Sequence, residues 1–123
     1  AGETALDIVA YAAHMAALMG ANIIKVKPPK AGVDLKAAEK SYEGVAQDTL
    51  TQRIQHVMQA SFNNKRIVVF SGGDAKDADS LLKEISEINA GGGFGSIVGR
   101  NSFQRSKADA LDLLGKIVDI YKA

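Results

Sequence analysis

The chain is first defined by what it lacks. Its 123 residues contain no cysteine, which excludes disulfides and thiolate metal sites and leads us to expect a reducing, cytoplasmic setting. Fifteen lysine and arginine residues against fourteen aspartate and glutamate residues leave a formal net charge of +1, so we expect no nucleic-acid partner. No apolar run approaches the roughly 20 residues of a membrane span, so we expect no membrane partner either.

What is present is the composition of one globular domain. Hydrophobic residues make up 46% of the chain and charged residues 24%, and 123 residues suffice for one core but not for two. The chain opens with Ala1-Gly2-Glu3 instead of methionine. We therefore expect either a processed chain or a piece of something longer.

Apolar strands alternate with amphipathic helices along the whole sequence. The pattern predicts helices over about 4–19, 49–62, 78–89 and 107–121, and strands over 22–27, 66–70 and 96–98. This alternation indicates parallel β/α architecture. Both an open doubly wound sheet and a closed barrel satisfy it.

Two of these helices carry specific expectations. Thr4 and Asp7 resemble a capping box at the start of the first helix. The last helix is expected to bury an apolar stripe formed by Leu111, Leu114, Ile117 and Ile120.

A lysine within the first strand is the main candidate for chemistry. Because side chains alternate along a strand, Ile23, Lys25 and Lys27 share one face, opposite Ile24 and Val26. The apolar run around Lys25 predicts that its amine is withheld from water. Such an amine loses its proton more readily, and a neutral amine is the nucleophile that attacks a carbonyl to form a Schiff base.

Glycine-rich turns follow the other two strands. Ser71-Gly72-Gly73 ends the second, and Gly99-Arg100-Asn101 ends the third. Turns of this kind expose backbone N–H groups that bind oxyanions, and the arginine adds donors suited to phosphate. In a β/α barrel the loops after the last two strands often form the phosphate site. The pair therefore predicts phosphate binding at the carboxyl ends of the strands.

Other motifs fit structural roles better. His14 and His56 lie on helices without nearby metal-ligand spacing, so we expect packing or surface residues and no metal site. The glycines of 91–95 loosely resemble a dinucleotide fingerprint, but they precede a strand instead of following one.

Three segments together resemble archaeal-type class I fructose-bisphosphate aldolases. They are Gly20-Ala21-Asn22-Ile23-Ile24-Lys25-Val26-Lys27, Val69-Phe70-Ser71-Gly72-Gly73 and Gly99-Arg100-Asn101-Ser102-Phe103-Gln104. The similarity covers nearly the whole chain, in the same order and at similar spacing. Relatives with these motifs include a thiolase and a synthase acting on other phosphorylated ketones, so membership does not define the substrate.

The resemblance implies an α/β fold, namely the C-terminal portion of a TIM (β/α)8 barrel with strands 6 to 8 and their helices. Residues 1–123 would form one partial barrel that begins before the sixth strand. Lys25 would form the Schiff base with a phosphorylated sugar. Residues implied to contact that substrate are Lys27 and, mainly around a phosphate, Ser71, Gly72, Gly73, Gly99 and Arg100. No metal and no other cofactor is implied, and we expect a homo-oligomer.

The chain also departs from the family. An aspartate of the first strand and a tyrosine of the fifth, which handle protons in the family, have no counterpart here. Three strands leave unpaired edges and cannot close a barrel. We therefore expect a partner, either a missing N-terminal barrel segment or a second chain. The alternatives are a non-catalytic phosphate-binding half-barrel that docks on another chain, and an open flavodoxin-like sheet that binds a phosphorylated ligand without covalent chemistry.

Overall fold

The computed structural model describes residues 2–71 and 75–123. Within these ranges the elements are α1 (Leu6–Leu18), β1 (Ile23–Val26), α2 (Leu50–Ala60), β2 (Ile67–Ser71), α3 (Ala78–Ala90), β3 (Gly95–Ile97), α4 (Arg100–Phe103) and α5 (Lys107–Lys122). The predicted alternation of helices and strands is confirmed, and the fold is α/β. The one-turn helix α4 was not predicted. In the part of the chain that the structure describes, no helix combines the length and the apolar character of a membrane span.

The described strands form one parallel sheet in the order β1-β2-β3. Lys25 pairs with Val69, which in turn pairs with Gly95. Ile24, Val68 and Phe70 are buried because they lie on the side of the sheet that the helices cover. The opposite side carries Ile23, which is 66% exposed. One face of the sheet is therefore a core face and the other is open.

The beginning of α1 differs from the predicted capping box. Its N-cap is Ala5, which makes no side-chain cap. Asp7 is 2% exposed, and its two carboxylate oxygens accept the backbone N–H groups of Asp34 at 3.0 Å and Leu35 at 2.9 Å. Burial alone would raise the pKa of Asp7, but the backbone N–H donors outweigh it and hold the pKa below its ordinary value. Asp7 therefore anchors the loop after β1 instead of closing its own helix.

A second anchor holds the same loop from α2. The Arg53 guanidinium donates to the carbonyl oxygens of Pro29 at 2.9 Å, Gln47 at 2.7 Å and Asp48 at 3.0 Å. The helix itself begins at a Thr49 capping box. The long connection between β1 and α2 is thus tied at both of its ends, although it contains only one short 3-10 turn, Glu39–Tyr42.

The buried hydrophobic residues form two clusters of unequal size. The large cluster joins α1, β1, α2, β2 and the end of α3, and it includes Leu6, Ile54 and Phe70. The small cluster consists of Leu81, Ile85, Leu113 and Ile117, from α3 and α5. The predicted stripe of α5 is therefore partly wrong: Leu113 is buried while Leu111 is 61% exposed. The helix is apolar on more than one side, so its spacing alone did not identify the buried side.

The glycine run after α3 has a packing role. A Cβ on Gly91 would lie 2.6 Å from Ile54 Cβ, and one on Gly93 would lie 2.5 Å from Ile88 Cγ2. Gly92 between them has a φ of +90°, in the left-handed region that favours glycine. The run lets the chain pass close to α2 and turn into β3, which agrees with rejecting a dinucleotide fingerprint.

Candidate active site

A cavity of about 330 Å³ opens at the carboxyl edge of the sheet. Its lining includes four of the predicted site residues, which are Lys25, Ser71, Gly99 and Arg100. In a parallel sheet the carboxyl ends of all strands meet at one edge. The structure thus brings an amine, a hydroxyl and a guanidinium to one concave surface.

Lys25 lies on the open face of the sheet, and its side chain is exposed. The prediction that its amine is withheld from water is therefore wrong for this chain. The neighbouring Ile24 is 4% exposed, because it points to the helices while Lys25 points away from them. The apolar run correctly indicated a strand with one buried face, but Lys25 belongs to the other face. Lys25 nevertheless lines the same cavity as Ser71, Gly99 and Arg100.

Lys27 is not among the residues that line this cavity. Its Nζ lies 2.5 Å from Glu3 Oε1, in the segment that precedes α1. A hydrogen bond from Lys27 and its positive charge hold the pKa of the Glu3 carboxyl below its ordinary value. Both side chains are more than half exposed, at 54% and 77%, so this ion pair contributes little stability. A substrate role for Lys27 remains a prediction.

The turn after β2 is described only in part. Ser71, at 9% exposure, ends β2 and pairs with Ile97 of β3. Along the strand it lies two residues beyond Val69, so it shares the face of Lys25 about 7 Å nearer the carboxyl edge. Gly72 and Gly73 lie outside the described residues. Their predicted contacts with a phosphate stay predictions.

The turn after β3 leads directly into α4. Gly99 is its N-cap residue, and Arg100 is the first residue of the helix. The Ser102 hydroxyl donates to the Gly99 carbonyl at 2.8 Å, which closes the turn. Arg100 is exposed and lines the same cavity as Lys25. Two cationic side chains therefore flank the concave surface, as an anionic ligand requires.

Sequence reasoning assigned no individual site role to three polar residues of the cavity, Glu84, Ser96 and Asn101. The Glu84 carboxylate forms an ion pair with the Lys76 ammonium. The Asn101 side-chain oxygen accepts the backbone N–H of Lys76 at 2.7 Å. Glu84 lies on the polar side of a helix, where a charge is unremarkable. Only the fold reveals that this side borders the carboxyl edge of the sheet.

The two histidines take structural positions, as predicted. His14 Nδ1 lies 2.8 Å from the carbonyl oxygen of Ala60, and its ring meets Phe62 edge-on. His56 Nε2 lies 3.1 Å from the Tyr42 hydroxyl, and burial lowers the pKa of His56. Among residues 2–71 and 75–123, no group of three or more histidine, aspartate or glutamate side chains is arranged to hold a metal ion.

Two proteins of similar sequence support the resemblance to aldolases over most of the chain. A probable fructose-bisphosphate aldolase class 1 of Chlamydia pneumoniae is 30% identical over 127 residues, which cover 97% of this chain and 36% of that protein. Its namesake in Chlamydia muridarum is 29% identical over 128 residues, with 97% and 37% covered. This chain therefore spans little more than a third of the length of these curated relatives.

Solved structures give the same result at the level of the fold. An archaeal fructose 1,6-bisphosphate aldolase matches with a TM-score of 0.72 and 28% identity, over 100% of this chain and 40% of that one. A fructose-bisphosphate aldolase from Slackia heliotrinireducens matches with a TM-score of 0.74 and 28% identity, over 97% and 33%. The sheet described above thus corresponds to part of an aldolase barrel.

The family model covers most of the chain and agrees with these relatives. The model for DeoC/LacD family aldolases matches residues 2–105, a range that contains β1, β2, β3 and every residue of the candidate site. The chain belongs to the DeoC/LacD family of aldolases.

Proposed function

We propose that the chain supplies the imine-forming lysine and the phosphate-binding loops of a Schiff-base aldolase that cleaves or forms fructose 1,6-bisphosphate. The observation that carries this proposal is the meeting of Lys25, Ser71 and Arg100 at one cavity on the carboxyl edge of the sheet. An aldolase of this class needs an amine for the ketone and an anion site at a suitable distance from it. The named relatives support the choice of sugar.

The proposed chemistry begins with attack of the Lys25 amine on the C2 carbonyl of the sugar. The new C–N bond replaces the C–O bond, and the carbonyl oxygen leaves as water to give an iminium ion. When the C3–C4 bond breaks, its electron pair moves into the iminium, and a base removes the proton of the C4 hydroxyl. The proton-transfer groups would come from outside this chain, as the family resemblance implies.

Arg100 would bind the phosphate of the bound sugar. A guanidinium offers paired N–H donors that match phosphate oxygens, and Arg100 lines the same cavity as Lys25. The Ser71 hydroxyl, on the sheet face of Lys25, would add a further donor, with Gly72, Gly73 and Gly99 contributing backbone N–H groups. A ligand held in this way would present its ketone toward Lys25.

Exposure of Lys25 bears on the proposed partner. The amine must lose a proton before it attacks, and burial favours that loss. In this chain the open sheet face leaves Lys25 exposed. We therefore include in the proposal that a further barrel segment or a second chain covers this face. That partner would complete the single partial-barrel domain of residues 1–123 and would withdraw the Lys25 amine from water.

The test is reductive trapping of the imine. The chain, alone and mixed with a polypeptide that supplies the remaining strands, is incubated with fructose 1,6-bisphosphate and borohydride. Mass mapping is expected to place the adduct on Lys25, with stronger labelling in the mixture. The Lys25→Met variant should lose the adduct, and Lys65→Met, a matched change at an exposed lysine that does not line the cavity, should keep it. An adduct confined to another lysine, or none under both conditions, would refute the catalytic assignment.

The exposed amine also favours a second candidate function. The chain could be a phosphate-binding half-barrel that docks on another chain without forming an imine. It predicts saturable binding of fructose 1,6-bisphosphate that Lys25→Met leaves unchanged, together with the absence of any trapped adduct in the mixture. The same set of samples therefore separates the two functions.

A further inference from the structure

Side chains of α4 and its flank tie two strand-end connections together. Lys76 belongs to the connection between β2 and α3, and Asn101 and Arg105 belong to the connection between β3 and α5. The sheet pairs Ser71 with Ile97, but that pairing ends where the two connections begin. Whatever sets their spacing beyond the sheet must come from other contacts.

Two hydrogen bonds join the two connections, and a third orients the arginine that makes one of them. The Lys76 backbone N–H donates to Asn101 Oδ1 at 2.7 Å. Arg105 Nη2 donates to the Lys76 carbonyl at 2.7 Å, and Arg105 Nε donates to the Asn101 carbonyl at 2.6 Å. Both backbone polar groups of Lys76 are thus satisfied by the other connection. We call these three bonds the Lys76 latch.

The latch depends on the shape of its two side chains. A planar guanidinium has N–H groups in a fixed fork, so Arg105 spans two carbonyls at once. Asn101 supplies the matching acceptor from within α4, next to the cavity residue Arg100. Lys76 lies only three residues after Gly73 in the sequence. The latch therefore joins a point just beyond one glycine turn to a point just beyond the other.

We infer that Asn101 and Arg105 are positioning residues that hold the connection at Lys76 against α4, next to Gly99 and Arg100, for binding a phosphate. The inference rests on the proposed function, because the phosphate site is part of that proposal. It assigns Arg105 a geometric role that differs from the ligand role of Arg100. A positive charge at residue 105 without the planar fork of N–H groups should therefore not maintain the wild-type affinity for phosphate.

The experiment compares charge with geometry. Inorganic phosphate is titrated into the ¹⁵N-labelled full chain while the amide signal of Gly99 is followed, for the wild type, Arg105→Lys and Arg105→Ala. We expect both variants to lose about tenfold in affinity, the effect of one or two lost hydrogen bonds. Arg53→Lys is the matched control, since Arg53 also donates to loop carbonyls but on the other connection. It should leave the phosphate affinity unchanged.

A second measurement tests the latch without any ligand. Hydrogen exchange of the Lys76 amide is expected to be at least tenfold faster in Asn101→Ala than in the wild type, since the variant loses the acceptor. Thermal unfolding recorded in parallel identifies a variant that has unfolded globally. The exchange of an α2 amide, which lies away from the latch, should stay unchanged.

The outcomes distinguish the failure of each claim. Wild-type affinity in Arg105→Lys, with loss only in Arg105→Ala, would show a charge effect and overturn the positioning role. Unchanged Lys76 exchange in Asn101→Ala would overturn the latch itself. If the wild type does not bind phosphate while Lys76 exchange responds as expected, the proposed phosphate site fails, and the ligand role of the latch fails with it.

Discussion

An arginine holds the chain in two regions, the connection after β1 and the turns after β2 and β3. The two regions differ in the groups that they pack against. Arg53 binds three carbonyls of the connection after β1, and the buried Asp7 binds two N–H groups of the same segment. Arg105 binds only two carbonyls at the strand-end turns. The first connection packs Tyr42 and Val45 against the large cluster, whereas the turns border an open cavity.

The difference separates scaffold from site. The connection after β1 joins buried groups, and a change there removes hydrogen bonds that water does not replace. The turns after β2 and β3 contain exposed charges whose interactions water screens. We therefore expect substitutions in the first region to act on the free energy of unfolding, and substitutions in the second to act on ligand affinity.

The strongest test of this comparison truncates one isoleucine in each of the two clusters, since the large cluster packs against Tyr42 and Val45 of the first connection and the small cluster packs against Val98, beside Gly99. Ile54 is 0% exposed in the large cluster, and Ile117 is 7% exposed in the small one. We expect Ile54→Ala to cost about 3–5 kcal/mol and Ile117→Ala about 2–3 kcal/mol in urea unfolding. The backbone of the Gly91 turn lies directly against Ile54, so the cavity left there would not collapse easily. Equal costs would contradict the comparison.

A smaller effect is expected at Asp7, and it should depend on pH. The folded-state pKa of Asp7 lies below its ordinary value, so its contribution to stability is complete above the unfolded value of about 4. It is lost as the pH falls through the folded value. Asp7→Asn keeps one acceptor oxygen but loses the other, and we expect it to cost about 1–3 kcal/mol at pH 7.

Urea unfolding at pH 7, 5 and 3 measures this difference. The gap between wild type and Asp7→Asn should narrow as the pH falls, because protonation removes the same acceptor from the wild type. Asp119→Asn, on the exposed side of α5, serves as the control and should change stability little at any pH. A gap that stays constant down to pH 3 would show that the Asp7 charge is unimportant.

Sequence periodicity predicted the order of elements well because each strand and most helices have one clearly apolar face. Along α1, apolar residues recur at helical spacing and all are buried, namely Leu6, Val9, Ala10, Ala13 and Ala17. The same reasoning was only partly right for α5, where Ile117 is buried as predicted but Leu113 is buried in place of Leu111 and Leu114. Periodicity identifies a helix, but it selects a buried side only where one side is distinctly more apolar.

The sequence predicted where the site lies, at the carboxyl ends of the strands, but not the surroundings of its side chains. Alternation along β1 put Lys25 opposite Ile24, which is correct, but it did not reveal whether either face is covered. That depends on elements far away in the sequence or outside this chain. The partners of Asp7, Asn101 and Glu84 were not predicted for a related reason, since those partners lie 8 to 28 residues away.

The smallest effect is expected at Glu84, and it concerns the phosphate affinity alone. Glu84 lines the cavity and forms an ion pair with Lys76, so it adds a negative charge to a surface where Lys25 and Arg100 are positive. Glu84→Gln removes that charge and frees the Lys76 ammonium. We expect phosphate to bind about two- to fivefold more tightly in the variant, as for one partly exposed charge.

The matched control for this change lies on the same helix. Glu87→Gln removes an equal charge from α3 at a residue that does not line the cavity, so it should alter the affinity less. Adding salt should reduce the gain in phosphate affinity of Glu84→Gln, because salt screens the repulsion between the Glu84 carboxylate and the phosphate that the variant removes. If both variants bind phosphate alike at every salt concentration, the effect is one of net charge. The cavity would then lack the local electrostatic field that distinguishes it from the scaffold.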